Sequence, residues 1–210
     1  MLLDLILFLR RNLNDMPGRI IKKQYRKARY ILYRETLIDA KEHVLTFLGS
    51  FTGIALIGLL NSKYLVASDN LFLIGSFGAS SVLVYGIINS PLAQPRNLIG
   101  GHVISALIGV TVFKLFSAEI WLACALAVSL AIVAMQVTKT LHPPGGATAL
   151  IAVTGGKKIE AMGYMYVLSP VLSGVLILLA VALVFNNLRH RKYPSTPILK
   201  RRNAVRNAHR

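Results

Sequence analysis

Between Leu71 and Arg189 the chain has only two acidic residues, Glu119 and Glu160, and both stand in polar breaks between apolar runs. That scarcity removes the carboxylates on which an intramembrane sodium or proton relay commonly depends. Cysteine is nearly absent as well. Cys124 is alone, so no intrachain disulfide and no Cys-x-x-Cys redox or zinc site can form. Charged residues make up 15% of the chain, against about 25% in an ordinary soluble domain. Signatures of catalysis are missing too. There is no Gly-x-Ser-x-Gly, no His-Glu-x-x-His and no Walker loop, since Gly155-Gly156-Lys157-Lys158 lacks the spacing. These absences argue against an enzyme. They also leave His102 and His142 without a carboxylate or thiol to complete a metal site, so no metal or cofactor is expected.

What the chain does have is apolar sequence in long blocks, 54% hydrophobic over 210 residues. Blocks of this length read as membrane-spanning helices. The expected fold is all-α, a polytopic transmembrane helix bundle with broken or re-entrant half-helices. Spans are expected near 44–60, 71–88, 98–116, 120–138 and 164–185, with a short apolar piece at 147–153. Gly49 and Gly53 offer a face for close helix packing.

The formal net charge of +16 sits mainly at the two ends. Residues 10–41 hold ten Lys/Arg, and residues 189–210 hold eight with no acid. Such flanks follow the positive-inside rule and suit anionic lipid headgroups, not nucleic acid. Three regions follow: a basic amphipathic cytoplasmic leader at 1–42, a transmembrane domain at 43–188 and a basic cytoplasmic tail at 189–210. The leader has its apolar residues before its basic cluster, the wrong order for a secretory signal. It has no Ser or Thr before Thr36, unlike an organelle transit peptide. A prokaryotic inner membrane, with both termini cytoplasmic, is the expected address. Both termini on one side require an even number of crossings, and the loop charges favour six over four.

Two stretches interrupt the apolar blocks. Gly75-Ser76-Phe77-Gly78-Ala79-Ser80-Ser81 is rich in small and hydroxyl residues. His142-Pro143-Pro144-Gly145-Gly146-Ala147-Thr148 carries adjacent prolines, which break a helix interior. The two resemble each other at an offset of 68, Gly78 to Leu83 against Gly146 to Ile151, so an internal repeat is expected. Duplicated halves with discontinuous helices are a recurring transporter plan.

Near these breaks stand basic or neutral polar groups: Gln94, Arg96, Asn97, His102, Lys139 and His142. Cations at membrane depth without acidic partners are costly. A bound anion would supply the missing charge, with helix N-termini at Gly78-Ala79-Ser80 and Gly146-Ala147-Thr148 adding N–H donors. The expected partner is therefore a small inorganic anion. Arg96 would supply the fixed charge, Gln94 and Asn97 would stand beside it, and His102 and His142 would donate hydrogen bonds. Gly145 and Gly146 would let the anion approach the backbone. With no buried acid, conduction or coupling through histidine is favoured over sodium symport. The competing expectation is a non-transporting scaffold or sensor whose basic tails bind lipid or a partner. Homo-oligomerisation is compatible with either.

Taken together, Phe77-Gly78-Ala79-Ser80, the run Ser90-Pro91-Leu92-Ala93-Gln94-Pro95-Arg96-Asn97, Gly100-Gly101-His102 and Leu141 to Leu150 resemble, in order, the blocks of the HPP family of small integral membrane proteins. The resemblance covers roughly residues 44–193. It implies nitrite transport, the activity associated with plastid and cyanobacterial members, and four spans.

Overall fold

The computed structural model describes residues 40–64, 75–188 and 191–195. The basic leader up to residue 39 and the tail after residue 195 lie outside the described residues. The chain divides into two compact units, Met1–His43 and Val44–Arg210, and the second carries the fold that follows. Among the described residues the secondary structure is wholly helical.

Helix α1 runs Ala40–Tyr64 and α2 runs Gly75–Ser81, passing directly into a π-helical turn, Val82–Gly86. A 3-10 turn, Pro91–Ala93, leads to α3, Pro95–Phe116, then α4, Ile120–Val137. Helix α5 covers Pro143–Thr154 and α6 covers Gly156–Met162. The last stretch begins as a wide turn, Val167–Leu172, and continues as α7, Ser173–Phe185. It kinks at Ser169, whose backbone is extended (φ −142°, ψ 122°) ahead of Pro170, the conformation that a residue before proline prefers.

Among the described residues four segments are long and apolar enough to cross a membrane: Ala40–Leu60, Pro95–Phe116, Ile120–Val137 and Val167–Phe185. The loop charges favour six crossings, which needs both 71–88 and 143–153 to span; of the first, the described part is the seven-residue α2 and its π turn, Gly75–Gly86, and residues 71–74 lie outside the described residues. Helix α5 has 12 residues and rises about 18 Å, well short of a hydrocarbon core of about 30 Å. The four long helices match the lower count, with α5 as a half-length helix.

Alanine spacing explains how the half-length helix is held. Ala123, Ala127 and Ala131 recur every fourth residue on α4 and are fully buried, so that side of α4 lies close to α3 and α5. Its other side exposes Trp121, Val133 and Val137, the surface that lipid would cover. On α1, the expected glycine face receives Tyr85: a methyl at Gly53 would stand 2.6 Å from the Tyr85 hydroxyl. That hydroxyl donates to the Leu178 carbonyl of α7 at 3.0 Å. The chain after α7 returns to the loop before α3. There the Tyr193 hydroxyl donates to the Ala93 carbonyl at 2.7 Å, and the Ser195 N–H donates to Gln94 Oε1 at 2.8 Å.

Candidate functional site

The link between α4 and α5 is built to deliver one side chain. Helix α4 closes with Lys139 in the left-handed region (φ 57°). The Lys139 N–H donates to the Gln136 carbonyl at 3.1 Å and the Thr140 N–H to the Met135 carbonyl at 2.8 Å. This is the Schellman arrangement, with lysine where glycine is usual. The chain then runs extended through His142 (φ −140°, ψ 105°), as a residue before proline must. Pro143 and Pro144 do not separate the helices; they open α5, where a missing N–H costs nothing. Helix α5 therefore starts four residues before the expected Ala147.

Helix α3 presents glycines where this extended segment crosses it. A methyl at Gly101 would collide with the His142 Cβ, and one at Gly100 would stand 2.9 Å from the Thr140 Cβ. One turn of α5 later, a methyl at Gly145 would meet Ser105 Oγ at 2.7 Å and Met135 Sδ at 2.9 Å. Gly145 thus serves close packing. Its N–H is already donated to the His142 carbonyl at 2.8 Å.

His142 arrives against His102, their ring centroids 5.0 Å apart. Both are fully buried, as are Ser80, Thr148 and Ser76. The Ser80 hydroxyl lies 2.7 Å from His102 Nε2 and 2.9 Å from His142 Nε2, bridging the two rings. His102 Nδ1 lies 2.6 Å from Thr148 Oγ1. The Thr148 hydroxyl is placed to donate to Ser76 at 2.9 Å. At the other end His142 Nδ1 lies 2.8 Å from the Leu92 carbonyl. A carbonyl only accepts, so His142 Nδ1 carries hydrogen. Phe77 stands edge-on to His102 at 5.7 Å, and the Tyr166 hydroxyl donates to the Thr148 carbonyl at 3.2 Å.

The offset of 68 between the two interrupted stretches recurs here. Ser80 and Thr148 are separated by 148 minus 80, again 68. From α2 and α5 they take the two nitrogens of one imidazole. The cluster is otherwise closed. Among the described residues no buried side-chain nitrogen or oxygen lacks a partner, and no three His, Cys, Asp or Glu side chains converge as metal ligands.

The other expected site residues stand apart from this cluster. Arg96 is exposed and its Nη2 donates to the Thr138 carbonyl at 2.8 Å. Asn97 Nδ2 donates to the Leu141 carbonyl at 2.7 Å. Gln94 Nε2 donates to the Ile88 and Ser90 carbonyls. These three side chains brace the loops that carry His142 and Leu92. Gly78 and Ala79 are exposed within α2, turned away from the histidines. Gly78 instead lines a groove of about 620 Å³ with Thr46, Phe47, Ser50 and Phe51 of α1 and Ser81 and Val82. Gly146 is half-buried, and a methyl there would have only Val128 nearby, at 3.9 Å. Sequence reasoning missed Ser76 and Tyr166. The heptad-like return of a hydroxyl four residues before Ser80 was the signal for Ser76; nothing local marks Tyr166.

The profile of the HPP transmembrane region matches residues 35–194. The chain belongs to the HPP transmembrane family. Two proteins of Dictyostelium discoideum, each described as a transmembrane protein, are similar to it. One is 49% identical over 74% of this chain and the other 47% identical over 77%. The chain spans 51% and 58% of the length of these relatives. No solved structure matches. This HPP chain is thus an integral membrane protein. These two relatives are from Dictyostelium discoideum, not from a prokaryote.

Proposed function

We propose that this HPP chain carries a small monovalent anion across its membrane, with nitrite as the first candidate. The observation that supports this is the buried string Ser76–Thr148–His102–Ser80–His142, held between two short helices of a membrane bundle and containing no carboxylate. Its hydroxyls and imidazoles can turn a hydrogen or take up positive charge toward an anion, and it has no carboxylate to hold sodium. Nucleophilic chemistry lacks support: Ser80 sits between two histidines, yet no carboxylate orients either ring and no set of oxyanion donors faces the serine. A transporter is therefore the better reading than an enzyme.

The site needs a wall that moves, and α2 suits that role. It carries histidine partners on one side and the groove on the other. A methyl at Gly75, Gly78 or Gly86 would meet nothing within 4 Å, so these glycines loosen the helix without being needed for packing. The basic flanks and the even number of long helices among the described residues support both flanks on the cytoplasmic side. A prokaryotic plasma membrane rests on the leader's composition alone.

Purified protein in liposomes, tested with nitrite, nitrate, formate and chloride side by side, is expected to pass nitrite faster than empty liposomes. Ser80→Ala should slow that flux more than Arg96→Ala, since Arg96 only braces Thr138. Flux equal to empty liposomes would remove the transport reading. It would leave the scaffold or sensor reading, in which the basic tails bind lipid or a partner.

A further inference from the structure

Four contacts link the Leu92 carbonyl to Thr148: Leu92 to His142, His142 to Ser80, Ser80 to His102, and His102 to Thr148. Each contact needs one hydrogen between its heavy atoms. With Thr148 donating outward to Ser76, the hydrogens available are one on each neutral imidazole and one on Ser80. Three hydrogens cannot fill four contacts. The string is completed in one of two ways. Thr148 turns its hydroxyl from Ser76 to His102 Nδ1, or the cluster takes up one further proton and one ring becomes imidazolium.

We infer that this string is a one-proton site and that its proton travels with the anion. The inference rests on the transport reading and adds the coupling partner to it. With the extra proton on His142, its Nε2–H donates to Ser80, Ser80 donates to His102 Nε2, and His102 Nδ1–H donates to Thr148. The proton passes when the His142 Nε2–H bond breaks as an O–H bond forms on Ser80. The original Ser80 O–H bond breaks as an N–H bond forms at His102 Nε2. One charge moves from ring to ring, and no atom or electron is gained.

Nothing on the surrounding elements neutralises that charge. Helix α2 with its π turn, the Pro91–Ala93 turn, α4, α5, the Val167–Leu172 turn and α7 contain no Asp, Glu, Lys or Arg. Helix α3 has Arg96 and Lys114 near its two ends. Among the described residues of these elements and the segments that adjoin them, the other titratable groups are Tyr85, Cys124, Lys139, Tyr164, Tyr166, Arg191, Lys192 and Tyr193, and the two carboxylates, Glu119 and Glu160, are exposed in the α3–α4 turn and on α6. A charge at such a place needs a partner from outside. Proton and anion then each raise the other's affinity by the same factor, and the loaded site is electrically neutral.

Wild-type protein in liposomes with a trapped pH dye, driven by a nitrite gradient, tests this. Above the empty-liposome background, nitrite influx is expected to acidify the lumen. The influx should be unchanged when a potassium diffusion potential is imposed with valinomycin. Ser80→Ala is expected to lower the acidification rate about tenfold, the effect of losing about one buried hydrogen bond. Protein-mediated nitrite influx that follows the imposed potential without acidification overturns the coupling and leaves anion transport standing. Influx equal to empty liposomes removes transport and coupling together. A second measurement needs no flux. In nanodiscs carrying ¹⁵N-histidine protein, added nitrite at pH 6.5 is expected to move one ring of the His102/His142 pair to the imidazolium range, with signals assigned by His102→Gln and His142→Gln. Both rings staying neutral throughout the titration overturns the proposal.

Discussion

Replacing Thr148 by valine keeps the shape of the side chain and removes its hydroxyl. In the structure that hydroxyl lies 2.6 Å from His102 Nδ1 and 2.9 Å from Ser76 Oγ. All three residues are fully buried, so neither partner can turn to water. A stranded buried polar group costs about 1–3 kcal/mol, while interhelical hydrogen bonds in membrane proteins average nearer 0.6 kcal/mol because the unfolded chain also finds partners. Two stranded groups place Thr148→Val at about 2 kcal/mol, roughly a 30-fold shift of the folding equilibrium. Thr148→Ser keeps the hydroxyl and loses one methyl, about 1 kcal/mol. Equilibrium unfolding in mixed micelles, monitored by circular dichroism, measures both. If the valine variant is as stable as the serine variant, Thr148 is held by packing alone and the string through His102 is not what anchors α5.

Gly145→Ala is expected to destabilise by about 1–3 kcal/mol through overpacking against Ser105 and Met135. Gly146→Ala, with open space around it, should be neutral or stabilising by up to about 1 kcal/mol. The same unfolding assay would show no difference between these two if α5 were not seated on α3. Lys139→Gly relieves a side chain held at φ 57° and is expected to stabilise by about 1 kcal/mol. A loss of stability there would mean that the lysine side chain makes a compensating contact.

The membrane class, the family and the two interrupted stretches were legible because hydropathy and local backbone chemistry leave strong marks. Ser80, His102, His142 and Thr148 were legible as residues beside those breaks. Their meeting was not, because the contacts join positions 22, 62 and 46 residues apart and nothing local encodes which rotamers face inward. The contact that Arg96 makes was hidden for a related reason. Its charge drew attention to an anion, and a charge does not announce that a long side chain at a helix start reaches the neighbouring helix end. The prolines misled because their helix-breaking effect applies to a helix interior, whereas Pro143 and Pro144 fill the first two positions of α5. The left-handed turn at Lys139 carries no sequence mark, since lysine is not a residue that signals it.

The clasp between the chain after α7 and the loop before α3 bears on the order of synthesis. The Tyr193 hydroxyl and the Ser195 N–H grip Ala93 and Gln94 across 100 and 101 residues. The same loop presents the Leu92 carbonyl that fixes the hydrogen on His142 Nδ1. Both histidines leave the ribosome well before that clasp can close. A nascent chain that has inserted α1, α3, α4 and α7 still holds its histidine pair against a loop that the Tyr193 and Ser195 contacts have yet to secure. The loop that fixes this hydrogen is therefore closed by residues that follow α7.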